Sequence, residues 1–326
     1  MIATITLNPS LDEHIAVDRL VVEEANRWVK LRRYPGGKGI NVSRAIYEMD
    51  GITVAYGFVG GPNGRTFEIL LDEAGVLFSF TPIKEETRVN FIIKDIKTGQ
   101  QTRIDAPGPR ISRGELDRFF KKLKKIRPTP DLMVVSGSVP PGVPVTVYND
   151  IIMVGKESGV RTILDSTGQW LTEGIKAKPY LIKPNTSELE ALLGRQLPTE
   201  EAIVTAALDL VAMGIEIVVV SRGQDGIIAT DGKHVFKAEA PPVRVRSTVG
   251  AGDCAVAGLA LKLAYGESLL EACRLGVAMG TACVLTPGTE LCHKADVARL
   301  LSGVKVREIK IKPRAGYSSQ PVVSTA

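Results

Sequence analysis

Residues 131–165, DLMVVSGSVPPGVPVTVYNDIIMVGKESGVRTILD, contain the pattern that decides the fold. The stretch opens and closes with short apolar runs, 131–136 and 161–165, and its centre, 145–158, has a helical pattern. Largely apolar runs of this length are typical of parallel strands that are buried on both faces. The stretch therefore predicts one strand–helix–strand unit of an α/β protein.

The same alternation continues along almost the whole chain. Strand-like runs also occur at 2–7, 52–59, 180–183 and 216–221, and further helical patterns occur at 39–50, 64–75, 112–125, 185–193, 199–213, 252–265, 267–285 and 294–302. Alternation over this length predicts an open, doubly wound and mostly parallel sheet flanked by helices. Because such sheets bind ligands beyond the carboxyl ends of their strands, we expect the functional residues there.

Two segments, 13–33 and 86–105, interrupt this alternation with short period-two patterns and no helix between strands. Both look antiparallel, and together they predict one small β-sheet outside the main sheet, which we interpret as a lid. The predicted main domain then consists of 1–12, 34–85 and 106–303. The stretch 304–326 is basic and then rich in Ser and Pro, which predicts a flexible tail.

Composition and charge exclude several classes of protein. The chain has 326 residues, of which 44% are hydrophobic and 24% charged, as in ordinary globular proteins. A net charge of +5 is too dilute over this length to indicate nucleic-acid binding. No apolar run is long enough for a membrane span, and the opening MIATITLNPS lacks the features of a signal peptide.

Four cysteines without CxxC spacing predict reduced thiols in a cytoplasmic protein, and three histidines argue against a zinc site.

The most informative short segment is Ser247-Thr248-Val249-Gly250-Ala251-Gly252-Asp253, which precedes an apolar helical pattern. Small residues directly before a helix leave its first N–H groups open to an anion, above all a phosphate. A carboxylate at the end of this loop suits proton transfer or metal binding. A glycine turn with an N-cap Asp explains the same residues without a ligand. The chain lacks Gly-x4-Gly-Lys-Ser/Thr, which excludes a P-loop NTPase by motif.

Two segments near the start of the chain suit a sugar. In Pro35-Gly36-Gly37-Lys38-Gly39-Ile40-Asn41 the glycines allow close backbone approach, and the Asn side chain can donate and accept hydrogen bonds. Asn8-Pro9-Ser10-Leu11-Asp12 follows the first predicted strand, and its Asp can accept hydrogen bonds from two hydroxyls. A flexible turn with a solvated lysine, and a cap or turn Asp, are the plainer interpretations.

A fourth segment, Lys183-Pro184-Asn185-x-x-Glu188, follows a predicted strand. Asn185 and Glu188 are three residues apart, so they share a helix face and can hold Mg²⁺ through water. An N-cap Asn with an acidic first turn is equally consistent with this spacing.

Together and in this order, the four segments resemble the ribokinase/PfkB family of sugar kinases. The glycine pair near residue 36 is similar to the first signature of that family, and 248–253 to the second. Ser-Gly-Ser-x-Pro-Pro-Gly at 136–142 belongs to the same set, and the resemblance extends from residue 1 to about residue 302. It implies a ribokinase-like fold with a β-sheet lid.

The resemblance points to the branch that phosphorylates sugar phosphates. The segment 287–292 and the Pro-Pro-Val before the second signature look most like the minor 6-phosphofructokinase. Lys38 is more typical of 1-phosphofructokinase and tagatose-6-phosphate kinase, and Ala25 stands where the minor enzyme carries a substrate lysine. We therefore expect ATP-dependent conversion of fructose 6-phosphate to fructose 1,6-bisphosphate, with the other two activities as alternatives.

The resemblance also implies a role for individual residues. Asp253 would be the general base, and Gly250, Ala251 and Gly252 would form the anion hole. The residues implied to bind the sugar phosphate are Asp12, Gly36, Gly37, Lys38, Asn41, Arg88, Ser138 and Asp253. Those implied to bind ATP are Lys183, Asn185, Ser221, Gly223, Thr248, Gly250, Gly252 and Gly288. Mg²⁺ would be held through water by Asn185 and Glu188, and K⁺ by Ser247, Val249, Cys283, Thr286 and Gly288. Arg222 is unusual, because the family has an apolar residue there.

The period of two in 88–93 predicts the assembly. It places Arg88 and Asn90 on one face of a strand and Val89, Phe91 and Ile93 on the other. If Arg88 points at the substrate phosphate, the apolar face points away from the site and needs cover. We predict a homodimer joined through the lid, as the resemblance also implies; packing on the 13–33 segment of the same chain is the alternative.

Two other classes of function are alternatives to the kinase. A Rossmann dehydrogenase needs Gly-x-Gly-x-x-Gly straight after the first strand, where this chain has Asn8-Pro9-Ser10. A non-catalytic sugar-phosphate sensor would use the same scaffold, since fold does not fix function. The intact Asp253 and anion hole argue against the sensor.

Overall fold

Strands and helices alternate along residues 1–310, the part of the chain that the computed structural model describes. The strands are β1 (Ile2–Thr6), β2 (Ser10–Val17), β3 (Trp28–Gly36), β4 (Thr53–Val59), β5 (Leu77–Phe78), β6 (Thr81–Pro82), β7 (Arg88–Asp95), β8 (Gln101–Ile104), β9 (Leu132–Ser136), β10 (Arg161–Asp165), β11 (Leu181–Ile182), β12 (Ile217–Ser221), β13 (Ile227–Thr230), β14 (Val235–Glu239) and β15 (Lys305–Glu308). The helices are α1 (Lys38–Glu48), α2 (Gly61–Glu73), α3 (Arg113–Leu123), α4 (Val147–Glu157), α5 (Gly168–Ile175), α6 (Thr186–Leu193), α7 (Glu200–Ala212), α8 (Ala251–Ala264), α9 (Leu269–Cys283) and α10 (Lys294–Leu301). Within these residues, no helix combines the length and the apolar character needed to cross a membrane.

The large sheet has the strand order β15-β14-β13-β12-β11-β10-β9-β1-β4-β5, and β6 also pairs with β4. From β12 to β5 the neighbouring strands run parallel, and β13, β14 and β15 add an antiparallel edge. This arrangement confirms the predicted doubly wound, mostly parallel sheet. The carboxyl ends of β1, β9, β10, β11 and β12 consequently meet at one edge.

Both faces of the large sheet are buried. In β10, for example, Ile163 belongs to one hydrophobic cluster and Leu164 to another, and neither side chain is exposed to solvent. The first cluster includes α1, α8, α9 and α10, and the second includes α3, α4, α6 and α7. Continuous apolar runs in the sequence follow from this two-sided burial.

The small sheet has the order β3-β2-β7-β8. It joins the two remote segments as predicted, with antiparallel pairs β2–β3 and β7–β8 and a central parallel pair β2–β7. Its strands reach closer to the large sheet than the predicted boundaries allow. Ser10 pairs with both Gly36 and Arg88, so Asp12 and Gly36 lie on strands of the small sheet and not in the main domain.

Several elements were not predicted from the sequence. Helix α5 was missed because its eight residues bury only Leu171 and Gly174, which is too little for a recognisable apolar stripe. The hairpin β13–β14 has Asp231-Gly232 in its turn, a pair that favours tight turns and was a usable signal. The short strands β5 and β6 were also missed.

The start of the predicted flexible tail is ordered instead. Lys305–Glu308 forms β15, which pairs antiparallel with β14 and sets Val306 opposite Ala238. The apolar contacts of Val304 and Val306 with the core explain this order. The remainder of the predicted tail, 311–326, lies outside the described residues.

Candidate active site

The start of α8 forms an opening for an anion at the edge of the large sheet. Gly250 caps the helix in a left-handed conformation, with φ of 83°, and the helix proper begins at Ala251. Within residues 1–310 the N–H groups of Gly250 and Gly252 have no hydrogen-bond partner, whereas that of Ala251 is directed at the Thr248 carbonyl at 3.4 Å. Two of the three predicted anion-hole donors are therefore open, and the third makes a long backbone contact.

Asp253 lies in the first turn of the same helix and is only 7% exposed. Its Oδ2 accepts a hydrogen bond from Asn41 Nδ2 at 2.8 Å. Burial, reinforced by the negative charge of Asp165, raises the pKa of Asp253 to about 7, while Lys38 and the Asn41 hydrogen bond oppose the shift. A carboxyl group with this pKa exchanges a proton near neutral pH, as a general base requires.

Asp165, at the end of β10, is a central residue that the sequence reasoning missed. Its side chain is buried, and its two carboxylate oxygens lie 3.5 Å from Lys38 Nζ and 3.4 Å from Lys183 Nζ. Burial alone would raise the pKa of Asp165, but the two lysines and a hydrogen bond from Ser136 hold it below its usual value. An Asp that directly follows an apolar strand run was the available signal.

The two lysines bring positive charge to the opening. Asp165 is the main cause that raises the pKa of Lys38 to about 12, against the effect of its burial. A Cβ atom on Gly252 would lie 3.7 Å from Lys183 Nζ, so this ammonium group borders the first turn of α8. Two fixed cations and a helix N-terminus thus surround one space, which suits a phosphate group.

The sugar-side residues converge on Asp12. Its Oδ1 accepts hydrogen bonds from Ser10 Oγ at 2.7 Å and from Asn90 Nδ2 at 3.0 Å, and burial raises its pKa. A Cβ atom at position 36 would come within 2.3 Å of Asp12 Oδ2, so only glycine fits beside this carboxylate. Gly37, with φ of 114°, then turns the chain into α1.

Arg88 and Ser138 meet at Asn8. The guanidinium of Arg88 donates to the Ala106 and Asn8 carbonyls at 2.7 and 3.0 Å, and its buried Nε has no hydrogen-bond partner within the described chain. Ser138 Oγ accepts a hydrogen bond from Asn8 Nδ2 at 3.1 Å. The structure therefore brings together the two residues that were predicted to reach the same phosphate.

Arg103 was not predicted as a site residue. It lies on β8 beside Ile92 of β7, and its charge is close enough to act on both Asp12 and Arg88. Only the pairing of β8 with β7, which sets Arg103 opposite Ile92, places it on the same face as Arg88, and this pairing has no local signal.

Asn185 and Glu188 form a reciprocal cap at the start of α6. Asn185 Oδ1 accepts the N–H of Glu188, and Glu188 Oε2 accepts the N–H of Asn185, both at 2.8 Å. The plainer interpretation of this motif is therefore confirmed. The cap leaves Glu188 Oε1 unused, and the charge of Glu188 contributes to the raised pKa of Lys38.

The loop after β12 adjoins that cap. Ser221 forms a bridge with Asn185, and its N–H donates to the Pro184 carbonyl at 3.0 Å. Gly223 then starts a short 3₁₀ turn with φ of 60°. Between them, Arg222 turns away to Glu200 at 3.1 Å, a carboxylate that Lys237 also contacts at 2.8 Å. Arg222 thus anchors this loop to α7.

The residues of the predicted K⁺ site are brought together around two carbonyls. Ser247 Oγ donates to the Gly288 carbonyl at 2.9 Å, and Cys283 Sγ donates to the Val249 carbonyl at 3.4 Å. The Cys283 carbonyl accepts hydrogen bonds from both the N–H and the hydroxyl of Thr286. The Thr286 hydroxyl is also within hydrogen-bond distance of the Glu290 carbonyl, and it can donate its single proton to only one of the two carbonyls. The Cys283 carbonyl can therefore still accept a cation, and the K⁺ site stays a prediction.

Comparison with known proteins agrees with this geometry. A family profile described as "pfkB family carbohydrate kinase" matches residues 5–296. The chain is 36% identical over 310 residues to 1-phosphofructokinase of Borreliella burgdorferi, covering 95% of this chain and 99% of that protein. It is also 36% identical over 299 residues to ATP-dependent 6-phosphofructokinase isozyme 2 of Mycobacterium tuberculosis, covering 91% and 88%. The structure of phosphofructokinase-2 from Escherichia coli in complex with potassium is similar with a TM-score of 0.89 at 35% identity, covering 93% and 98%.

Proposed function

Since this chain belongs to the pfkB family of carbohydrate kinases, which phosphorylate an alcohol group of a sugar, we propose that fructose 6-phosphate is its preferred acceptor and MgATP its donor. The product would be fructose 1,6-bisphosphate. Transfer to fructose 1-phosphate or tagatose 6-phosphate is the alternative, because relatives of different name are equally similar. The observation that carries the proposal is the buried Asp253 carboxyl beside the open N–H groups that start α8.

Asp253 is proposed to take the proton of the attacking sugar hydroxyl. The hydroxyl oxygen then forms its bond to the γ-phosphorus of ATP as the bond to the β,γ-bridging oxygen breaks, which releases ADP. Asn41, which donates to Asp253 Oδ2, fixes the orientation of the carboxylate. Because the pKa of Asp253 lies near 7, the base is largely deprotonated at slightly alkaline pH.

Fixed positive charge is proposed to stabilise the transferring group. The N–H groups of Gly250 and Gly252 and the ammonium of Lys183 face the same space, and none of them has to reorganise during the reaction. Preorganised donors of this kind act where charge develops, and removal of one typically costs about 3 kcal/mol. Asp165 would act indirectly, since it holds Lys38 and Lys183 in place.

Binding of the sugar phosphate is proposed to divide between two groups. Asp12, Gly36, Gly37 and Asn41 would bind the sugar hydroxyls. Arg88, Ser138 and Arg103 would bind the existing phosphate, which matches the buried Nε of Arg88 that has no hydrogen-bond partner within the described residues. A guanidinium binds phosphate through two parallel hydrogen bonds, which gives direction as well as charge.

The residues present also fit the expected cations. Glu188 Oε1 and the polar side chain of Asn185 supply the hard oxygen ligands that Mg²⁺ prefers, in addition to its waters. The carbonyl oxygens of Ser247, Val249, Cys283, Thr286 and Gly288 would hold K⁺, a donor set of the type that suits this cation. When bound, these cations would neutralise charge on the phosphates and beside the anion hole.

We further propose a homodimer joined through the small sheet. Phe91 of β7 is 36% exposed and Ile104, its neighbour on β8, is 53% exposed on the face that points away from Asp12. A second copy that pairs its own small sheet with this one would cover both. The free, buried cysteines are consistent with a cytoplasmic protein.

The identity of the preferred acceptor is tested by measuring ADP release with purified protein and each candidate sugar. We expect the highest kcat/KM for fructose 6-phosphate among the three ketohexose phosphates, and a much lower value for fructose. Arg88→Ala should raise the KM for the sugar phosphate by about 10- to 100-fold and leave the weak use of fructose almost unchanged, because a charge-assisted contact is lost. Equal turnover of fructose and its phosphates would refute a sugar-phosphate kinase.

A further inference from the structure

The small sheet makes a direct hydrogen bond to the loop that follows α9. His14, on β2, places its Nε2 atom 2.8 Å from the hydroxyl oxygen of Thr289, a buried residue of that loop. His14 shares a face of β2 with Asp12, two residues earlier. The sugar side of the site and the loop beside the proposed nucleotide site are therefore connected by a single pair of side chains.

The surroundings of His14 fix its ring and its charge. The ring packs edge-to-face on Tyr34 of β3, with centroids 5.0 Å apart. Burial, together with the positive charge of Arg103, lowers the pKa of His14 to about 4. The imidazole is therefore neutral near pH 7, and one of its nitrogens can form an uncharged hydrogen bond with the Thr289 hydroxyl.

Gly288 leaves space in the loop for the His14 ring. A Cβ atom on Gly288 would lie only 3.2 Å from two atoms of the imidazole, so the absence of a side chain there lets His14 approach. Gly288 also has φ of 65°, which favours glycine at this position. Packing on Gly288 and the hydrogen bond to Thr289 therefore fix His14 at two adjacent points.

From Gly288 the contact continues to the anion-binding loop. The Gly288 carbonyl accepts a hydrogen bond from Ser247 Oγ at 2.9 Å. Ser247 Oγ in turn accepts a hydrogen bond from the N–H of Val249 at 3.3 Å. Val249 directly precedes Gly250, the cap of α8. A displacement of β2 would thus be transmitted to the N-terminus of α8 through three consecutive contacts and one peptide bond.

We propose that His14 is a positioning residue that couples the sugar-binding face of the small sheet to the nucleotide loop through Thr289. The inference rests on the proposed function, because it assigns the two substrates to the two sides of this contact. When the sugar phosphate orders the small sheet, His14 orders the loop 286–290, so the nucleotide binds more tightly. By thermodynamic reciprocity, the nucleotide raises the affinity for the sugar phosphate by the same factor.

Calorimetry on the full-length protein measures this coupling. The dissociation constant of a non-hydrolysable ATP analogue with Mg²⁺ is determined without and with saturating fructose 6-phosphate, and the ratio of the two values is the coupling factor. We expect a factor of about 10 or more for the wild type, within the usual range of coupling between two sites. Thr289→Val should reduce it by about 3- to 10-fold, the worth of one uncharged hydrogen bond, while Thr289→Ser, which keeps the hydroxyl, should preserve it.

A second set of variants separates coupling from simple stability. His14→Leu should lower the coupling factor as Thr289→Val does, His14→Gln should restore part of it, and the double variant should lose no more than either single variant. In each variant the affinity for the analogue without sugar phosphate should stay within about twofold of the wild-type value. The hydrogen bond acts on the coupling and does not itself contact the nucleotide.

The outcomes for the two proposals are distinct. An active wild type whose coupling factor is one, or whose coupling factor survives both Thr289→Val and His14→Leu, would overturn the role of His14 and leave the kinase activity intact. Losses that multiply in the double variant would also overturn it, because the two side chains would then act independently. A wild type that transfers no phosphoryl group would refute the proposed function itself.

Discussion

The large sheet and the small sheet contribute to one site but are stabilised in different ways. Strands β9 to β12 are buried on both faces by helices of the same chain. In the small sheet, β8 is exposed along its whole length, and β3 is exposed at most of its positions. The large sheet therefore carries its own core, whereas the small sheet depends on contacts with α1 and α2 along one part of its surface.

This difference divides the chemistry between the two regions. The groups that need a fixed position, Asp253, Asp165 and Lys183, lie at the ends of elements in the large-sheet core. The groups proposed to recognise the acceptor, Asp12 and Arg88, lie on the small sheet. An enzyme that must exclude water from a phosphoryl transfer benefits from this division. The large sheet can hold the reacting groups in fixed positions, and a separate small sheet can close over the substrate.

The largest expected effect is a contrast in amide hydrogen exchange. Peptides that cover β10 should exchange about 10³-fold or more slowly than those that cover β8, because core strands open only with global unfolding and an exposed edge strand opens locally. Hydrogen–deuterium exchange with mass spectrometry measures both in one experiment. Added fructose 6-phosphate should slow exchange in β8 and leave β10 unchanged; equal protection of the two strands would contradict the comparison.

The next effect concerns the reacting group on the rigid side. Asp253→Asn keeps the size of the side chain but removes the base, so kcat should fall by about 10²- to 10⁴-fold with a much smaller change in the KM for either substrate. Steady-state kinetics with ADP detection tests this. Near-normal turnover would leave the helix N-terminus as the main catalytic device and remove Asp253 from the mechanism.

The sequence predicted the large sheet better than the small one. Apolar runs such as 161–165 are local signals of burial on both faces, and the structure confirms these strands with a shift of at most one residue at each end. Alternation in 88–93 also predicted the two faces of β7 correctly: Asn90 is buried and Phe91 is exposed. The pairing of β2 with β7 joins residues about 78 positions apart, and its parallel direction has no local signal.

The candidate site shows the same limit. The cap formed by Asn185 and Glu188 depends on residues three apart, and it was predictable as a cap from that spacing alone. The contacts of Asp165 with Lys38 and Lys183 are tertiary, so composition and periodicity carry no trace of them. Helix α5 was missed for the opposite reason, because its local pattern of eight residues is too short to distinguish it from a loop.

The pH dependence of the reaction tests the charge pattern of the site. Because burial and Asp165 raise the pKa of Asp253 to about 7, kcat/KM should decrease about tenfold per pH unit below that value as the base is protonated. Lys38→Met removes a positive charge that opposes the shift, so the inflection should move to higher pH. Lys38→Arg retains the charge and serves as the control. An inflection that Lys38→Met leaves in place would assign it to another group.

The smallest expected effect on catalysis comes from the far face of the small sheet. Phe91 and Ile104 are neighbours on that face, beside the Glu13–Arg33 ion pair of 2.8 Å. Both side chains remain partly exposed to solvent within the described chain. Phe91→Glu would place a charge inside the proposed interface, so it should convert the dimer to a monomer and lower activity only several-fold through a looser cover. Light scattering at micromolar concentration reports the mass. Phe91→Leu should remain dimeric, and Met213→Glu, an exposed change in the residue that caps the C-terminus of α7, should have no effect. A wild-type monomer would refute the dimer, and unchanged activity in a monomeric Phe91→Glu variant would show that the small sheet covers the substrate without help from a second copy.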